Sequence, residues 1–463
     1  MNVLLFWAVV TVSGSGMAAS KATDPENEPR QILIVYSGNT LGELKPCGCS
    51  KEEDQGGIER RMGYMEAVRT RAKNTLIVDT GDNFKEPTRQ GKIKAKYLMQ
   101  AMSEMKYDAV TFGDHDFVYG NAFISEQEGI PWVLSNMESS LPIAKVRVKA
   151  FGENLNAAVI AVADPDLLYG SHHSEMQVTN PKEAVESQIR ALAKTKTPDL
   201  IVLLTHMDRD KALRYLDIEG VDVVINGHIE KDTDAIDMNP VLKNGKIFVQ
   251  PGPRGQKMGE LLVTFEVQRK GSHDNQKTLS GVSKPALREG VDSQGQKSFA
   301  QKMIPLGSRV AISPKMTALY EVYNQEVEEL FFTSLSQRKN NKKKLFATET
   351  VCKTCHPKAH KTWQHSRHGK AYNTLRKVNK AFDPECLACH VTGWNQAGGF
   401  ISEIDTPELE NVQCEVCHGP ALNHSEAPAA GFGQNARQAC KNCHVKNHSP
   451  RFNFDTYWEK IKH

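Results

Sequence analysis

Methionine disappears from this chain after Met316: all fourteen lie at or before that residue in a sequence of 463. Whatever the remainder builds has no thioether to offer as a ligand. Cysteine is distributed the other way, with eight of ten beyond residue 350 and only Cys47 and Cys49 before it. Two cysteines cannot staple a domain of that size, so a disulfide framework is excluded. Long hydrophobic runs are also missing. Residues 3–12 form an apolar stretch of about ten, too short to cross a bilayer. Small residues around Ala18-Ala19-Ser20 follow it, which reads as the apolar region and cleavage zone of a signal peptide over residues 1–20. No Lys or Arg precedes the stretch, a departure from that pattern. Nothing later approaches a membrane span. The expectation is a periplasmic or otherwise exported protein that is not integral to a membrane once the signal is cleaved.

What the last quarter does have is Cys-x-x-Cys-His, four times. The copies are Cys352/Cys355/His356, Cys386/Cys389/His390, Cys414/Cys417/His418 and Cys440/Cys443/His444. Two thiols one helical turn apart bond the vinyl groups of a haem, and the imidazole on the next residue ligates its iron. Paired Cys-x-x-Cys also makes zinc ribbons, but zinc has no reason to require His after the second Cys every time. Four covalently bound c-type haems follow, and attachment of this kind takes place outside the cytoplasm. The chain carries a net charge of +3, split as +8 over residues 338–463 and −5 over the rest. Four haems bring about eight propionates, which offset that basic excess, so nucleic acid is not expected as a partner. Redox partner proteins are.

From residue 31 to 267 strand-like apolar runs alternate with helical stretches, at 32–36, 75–78, 109–112, 157–161, 200–204, 221–225 and 261–267. Most are apolar throughout, which means burial on both faces and a layered α/β domain over 30–270. Residues 268–305 are polar and rich in Gly, Ser and Lys, consistent with loops. Helical spacing of Met316, Leu319, Tyr320, Tyr323, Val327 and Phe331 predicts a helix over 314–335. The charged run 337–344 reads as a linker, closing a 271–344 segment of loops, helix and basic linker. A mainly helical and irregular multihaem domain then occupies 345–463. It is poor in large aliphatics, so haem must supply much of its core.

With no Met beyond 316, the haems' second axial ligands must be His, another weak donor, or nothing. Beyond the four motif histidines the candidates are His360, His365, His368, His424, His448 and His463. The Trp363-Gln-His-Ser-Arg-His368 stretch, Cys386 through Trp394, and Cys414 through His424 together resemble the tetrahaem cytochrome c family of nitrifying bacteria, over about 345–450. That resemblance implies His368 and His424 as distal ligands. The other four histidines have no such support, and an exposed surface role fits each equally well. A haem with both axial positions filled favours electron transfer, whereas an open face binds a small molecule; the sequence leaves both open.

Polar residues recur just after the apolar strands of the first domain: Asn39-Thr-Leu41-Gly42, Gly81-Asp82, Gly113-Asp114-His115-Asp116, His206, and Gly227-His228-Ile-Glu230. Such residues at successive strand ends converge on one rim of a sheet and suit one or two divalent metals. With Gly56-Gly-Ile-Glu-Arg-Arg61 they resemble the calcineurin-like metallophosphatases, within them the periplasmic 5′-nucleotidase branch, over roughly 30–270. That family holds two metals that activate water and clamp a phosphoryl group. Here the first motif has Asn39 for Asp and Leu41 for His, and the last ends in Glu230 for His. One metal position therefore keeps only Asp82. The other keeps Asp82, His206 and His228, with Asp114 in place of Asn. The resemblance implies one divalent metal or none, with His115 in the place of the family's catalytic His.

Cys47 and Cys49 fall on the loop after the first motif, near that rim. They could bind the metal, form a strained redox bridge, act on a sulfur substrate, or mark a plain turn. The sulfate thiohydrolase of thiosulfate oxidation resembles the same nucleotidases, an analogy only. Three functions stay in competition: a haem electron-transfer protein whose metallophosphatase-like domain has lost standard hydrolysis; a metal-dependent hydrolase with a haem module, taking a small-molecule substrate; and a multihaem oxidoreductase acting on a small nitrogen or sulfur compound at an open haem or at Cys47/Cys49.

Overall fold

A computed structural model describes residues 30–46, 54–85, 87–168, 176–195, 197–228, 237–265, 288–291, 297–339, 343–433, 436–445 and 448–463. The signal-peptide expectation, Cys47, Cys49 and Glu230 lie outside those residues.

Two six-stranded sheets form the first domain. In one, Arg30–Ser37 runs parallel to Thr75–Asp79, which runs parallel to the short Ala109–Val110; Lys257–Phe265 lies antiparallel on the other side of Arg30–Ser37. In the other, Asn156–Ala163, Leu200–His206, Val223–Asn226 and Lys246–Val249 are parallel neighbours, flanked by antiparallel Val146–Ala150 and Val241–Lys243. Alternate side chains of each central strand go to different cores. Ile32, Ile34, Leu76 and Val78 meet Val159, Ala161, Val202 and Ile225 between the sheets. Leu33, Val35 and Ile77 face helices on one outer side, while Ile160, Leu203 and Val224 face the Pro181–Thr195 helix side on the other. These strands are uniformly apolar because both of their faces are buried.

The polar segment read as loops contains strand. Lys297–Pro305 pairs along its whole length with Lys257–Phe265, and Arg288–Val291 pairs with it in turn. Its pattern is the half-buried one: Phe299 and Gln301 are buried, while Lys302 points away to an ion pair with Glu260 at 2.8 Å. Only alternate residues needed to be apolar, which is why composition hid it.

The basic linker is also corrected. The helix starting at Pro314 continues to Lys339, so the start of the charged run is helical. Arg338 lies 3.5 Å over the Trp394 ring and Lys339 pairs with Asp405 at 2.7 Å, so these charges bind to the following domain. Nor does that domain keep a core to itself. Phe346, Tyr372, Leu375, Phe382, Leu387, Phe400 and Leu409 belong to one apolar cluster with Phe84, Leu98, Met102, Tyr323 and Phe331 of the preceding chain. At its centre Gln90, on the Arg89–Met105 helix, donates to Asp383 Oδ1 at 2.8 Å and to Tyr323 Oη at 3.2 Å.

Tyr323 is 2% exposed and packs edge-on against Tyr97 with centroids 5.9 Å apart. Tyr323→Ala is expected to cost about 3–4 kcal/mol, as for other large buried rings. Urea unfolding of the haem-loaded chain measures it, and one cooperative transition lowered as a whole is the expected trace.

Candidate functional site

The parallel strands of both sheets end at one rim, and their C-terminal turns supply the site. Asp82 follows the Thr75–Asp79 strand, Asp114 follows Ala109–Val110, His206 ends Leu200–His206, and His228 follows Val223–Asn226. The first pair comes from one sheet and the second from the other. One ligand atom from each of the four can be chosen so that all lie within 4.8 Å of one another.

Glycine permits this approach. A Cβ on Gly113 would sit 2.1 Å from Asp82 Oδ1, and one on Gly81, at φ +84°, would sit 2.4 Å from Gly113 N. Asp116 then staples the two turns. Its carboxylate accepts N–H bonds from Gly113 and Asp82 at 2.8 Å and from Asn83 at 2.7 Å. Burial and the Asp82 charge push its pKa up to about 7, against the pull of those three donors. This clamp role is not visible in the sequence, where Asp116 is only one more acid of Gly-Asp-His-Asp.

His206 is wholly buried; its Nε2 lies 2.9 Å from Asp114 Oδ1 and 3.6 Å from Asp82 Oδ2, while Nδ1 faces Thr80 O at 3.3 Å. Burial alone would depress its pKa, but Asp82, Asp114 and Asp116 outweigh that and hold it at about 9. Asp114 moves the other way: burial would raise it, but His206 and His228, with the charge of His115, hold it well below the usual carboxylate range. His228 Nδ1 is buried without a hydrogen-bond partner, 3.4 Å from Asp114 Oδ1. Two imidazoles and two carboxylates, with an orphaned ring nitrogen turned toward the cluster, fit one divalent transition metal. His115 sits at the edge, 41% exposed, with Nε2 3.7 Å from Asp114 Oδ2. At the other metal position the side chain of fully buried Asn39 makes no hydrogen bond, and Leu41 supplies no donor.

In the last domain each Cys-x-x-Cys-His lies on or at the end of a short helix: Glu349–Cys355, Pro384–His390, Cys414–His418 and Ala436–Cys443. The thiols here stand in for the thioether sulfurs of a haem-loaded chain. Cys352 neighbours Cys414, and Cys389 neighbours Cys443. Three motif histidines have Nδ1 engaged by the chain: His390 by Ala371 O at 2.8 Å, His418 by Gly433 O at 3.2 Å and His444 by Ser449 Oγ at 2.9 Å. That fixes the rings and leaves Nε2 for iron.

Two imidazoles on opposite sides of one metal, each bonded at about 2 Å, have centroids about 6 Å apart. His356 and His424 are 6.5 Å apart and within 16° of parallel, and His368 and His444 are 6.0 Å apart. His418 and His463 are 5.7 Å apart. Sequence reasoning has no support to offer His463, because no motif singles it out. His360 is buried and bonded to Glu349, and the His365 ring meets its own helix at Lys361 O. Burial and the nearby His444 hold His368 below its ordinary pKa, which favours the neutral ring that a metal requires.

Residues 351–419 match the Cytochrome c554 and c-prime family. Cytochrome c-554 of Nitrosomonas europaea is 33% identical over 93 residues, 17% of this chain and 40% of that protein. A snake venom 5′-nucleotidase of Naja atra is 26% identical over 291 residues, 56% of this chain and 53% of that one. The solved 5′-nucleotidase precursor from Thermus thermophilus superposes with a TM-score of 0.53 at 20% identity, over 65% of this chain and 60% of its own. The chain thus spans about half or less of the curated relatives it matches. It joins a metallophosphatase-like α/β domain of the 5′-nucleotidase kind to a segment similar to cytochrome c-554, and no helix among the described residues is long and apolar enough to cross a membrane.

Because the His206 pKa is raised from 6.5 to about 9, the metal-free ring is protonated at neutral pH. Its pairing with Asp114 contributes stability that is fully present below pH 6.5 and lost as pH rises through about 9. Metal must displace that proton, so affinity should climb about tenfold per pH unit toward pH 9 and then level off. Calorimetric titration of the metal-free, haem-loaded chain with Zn²⁺ checks this, and a flat profile would remove His206 from the ligand set.

Proposed function

We propose that this chain is an exported electron-transfer protein with four covalent haems, whose metallophosphatase-like domain holds a single metal and has lost two-metal phosphoester hydrolysis. Export rests on the residues 1–20 signal and on the chemistry of haem attachment. The contrast between the two metal positions carries the reading of the first domain. Asp82, Asp114, His206 and His228 converge at one, while an amide and an aliphatic side chain stand where the other needs a carboxylate and an imidazole. A clamp on both sides of a phosphoryl group needs both ions.

For the cytochrome half, we assign Cys352/Cys355, Cys386/Cys389, Cys414/Cys417 and Cys440/Cys443 to attachment, with His356, His390, His418 and His444 as proximal ligands. His424, His463 and His368 complete the sites of His356, His418 and His444. Bound haem supplies one-electron storage at a potential set by its axial ligands and burial. The chain's part is to hold the imidazoles in register, exclude water from one side and dock exported redox proteins. We draw the first domain to residue 305, to include the Lys297–Pro305 strand, and treat 314–339 as a rigid helix joining it to the cytochrome domain.

A metal-dependent hydrolase is the second reading. It is favoured by the converging four-ligand cluster and by His115 at its edge, where an exposed imidazole could protonate a leaving group.

Haem content, metal content and phosphomonoesterase activity of one preparation separate the two. The expected outcome is four haems, no more than one metal and no turnover of phosphomonoesters with added Mn²⁺; ordinary enzymatic turnover, abolished in His206→Ala, establishes the hydrolase instead. Asn39→Asp combined with Leu41→His should raise metal content toward two. His463→Ala should turn one low-spin haem high-spin by electron paramagnetic resonance, with haem content unchanged.

A further inference from the structure

We propose that Asp82, Asp114, His206 and His228 hold an iron ion that changes oxidation state, and that the Lys94–Glu385 contact ties this site to the second haem-attachment motif. The inference rests on the proposed haem loading and single-metal site and adds what the metal is for.

The donor set narrows the metal. Two imidazoles disfavour Mg²⁺ and Ca²⁺, which take oxygen, and two carboxylates with no thiolate disfavour soft copper(I). Zinc, manganese and iron, among the first-row metals, remain compatible with nitrogen and oxygen donors. Asp114 tilts the choice. A carboxylate in place of a neutral amide adds a negative charge inside a site where His206 is wholly buried, and extra negative charge favours a trivalent ion over a divalent one. Among the compatible metals iron reaches that state readily, whereas zinc does not.

The fold connects this site to a source of electrons. Glu385 immediately precedes Cys386, on the short helix of the second motif, and pairs with Lys94 Nζ at 2.5 Å. The Lys94 stem lies against Gly42, where an added Cβ would be 3.8 Å from Lys94 Cδ. Gly42 N donates to Asn83 O at 2.8 Å, and Leu41 N donates to Asp82 O at 3.0 Å. Asp82 belongs to the cluster, so a series of neighbouring groups, with Lys94 beside Gly42 and Leu41 bonded to the Asp82 backbone, runs from the helix of the second attachment motif to the cluster. The joint is also fixed. Asp383 caps that helix by accepting from Glu385 N at 3.1 Å and accepts from Gln90 as well, with Asp383 and Gln90 only 5% and 4% exposed. A haem-attachment helix fixed beside the loop of a metal-type cluster suits one-electron chemistry, whereas hydrolysis has no use for it.

With both groups bound, the step would move a single electron: a ferrous haem held by the second attachment motif would become ferric, and a ferric ion held by Asp82, Asp114, His206 and His228 would become ferrous. An exported electron-donor protein re-reduces the haem.

The test uses the full chain loaded with haem and iron. Paramagnetic resonance should show a mononuclear high-spin ferric signal, absent in His206→Ala, that bleaches after the haems have been reduced anaerobically. Rapid freeze-quench should find that bleaching slowed several-fold in Lys94→Met and in Glu385→Gln. It should be unchanged in Lys315→Met, which breaks a surface pair with Glu104 elsewhere. Zinc at full occupancy in protein isolated from iron-replete cells overturns the inference while leaving the electron-transfer reading intact. So does a ferric signal indifferent to haem reduction, or one that bleaches at the same rate in all variants. A preparation without covalent haem overturns the electron-transfer reading itself.

Discussion

Three N–H groups from two turns converge on the carboxylate of Asp116, and the metal-type cluster depends on that convergence. Asp82 and Asp114 belong to separate strand ends, and Asp82 adopts a left-handed backbone at φ 57°. Nothing local holds such a turn for a residue with a side chain. Bonds from Gly113, Asp82 and Asn83 to one buried acceptor fix both turns at once, and the glycines let them touch. The second sheet then needs only to deliver His206 and His228 from its own strand ends. Asp116 serves the site without being a ligand, by setting where ligands can be.

What is legible in the sequence follows from how locally each feature is encoded. Strands buried on both faces announce themselves as apolar runs, so Arg30–Ser37, Asn156–Ala163 and Leu200–His206 can be read close to their true extent. Lys297–Pro305 cannot, because a strand with one wet face needs only alternate apolar residues. The haem motifs are contiguous and unambiguous. The proposed distal ligands are not contiguous with anything: His368 and His424 can be named only through a family resemblance, and His463 becomes a candidate only when the fold places it beside His418. The four converging metal-type residues are found from strand-end placement, since parallel strands must finish on one rim. Asp116 escapes notice because a clamp and a ligand look alike in one dimension.

The cytochrome domain's shortage of aliphatics has a second remedy besides haem. Its apolar residues share a cluster with the Arg89–Met105 and Pro314–Lys339 helices, and buried polar contacts at Gln90, Tyr323 and Asp383 lock the join. Directional buried hydrogen bonds specify one geometry where apolar contact alone tolerates sliding. The joining helix also carries Arg338 onto Trp394, so charges that suggested a flexible tether hold the two domains in one orientation.

That orientation bears on where the residues that depart from the metallophosphatase pattern lie. The altered first-motif residues, Asn39 and Leu41, sit on the segment leading to Gly42, which lies against Lys94 and, through it, Glu385 of the cytochrome domain. Electrostatic neighbours of His448 in the cytochrome domain include Glu43, Arg254 and Lys85, from the same side. The two imidazoles of the converging cluster come from the opposite sheet, away from this contact. A catalytic loop that must admit a phosphate ester needs open space and two ions. Asn39 and Leu41 lie beside the contact with the following domain, while Asp82 and Asp114 of the same sheet keep their carboxylates within reach of His206 and His228.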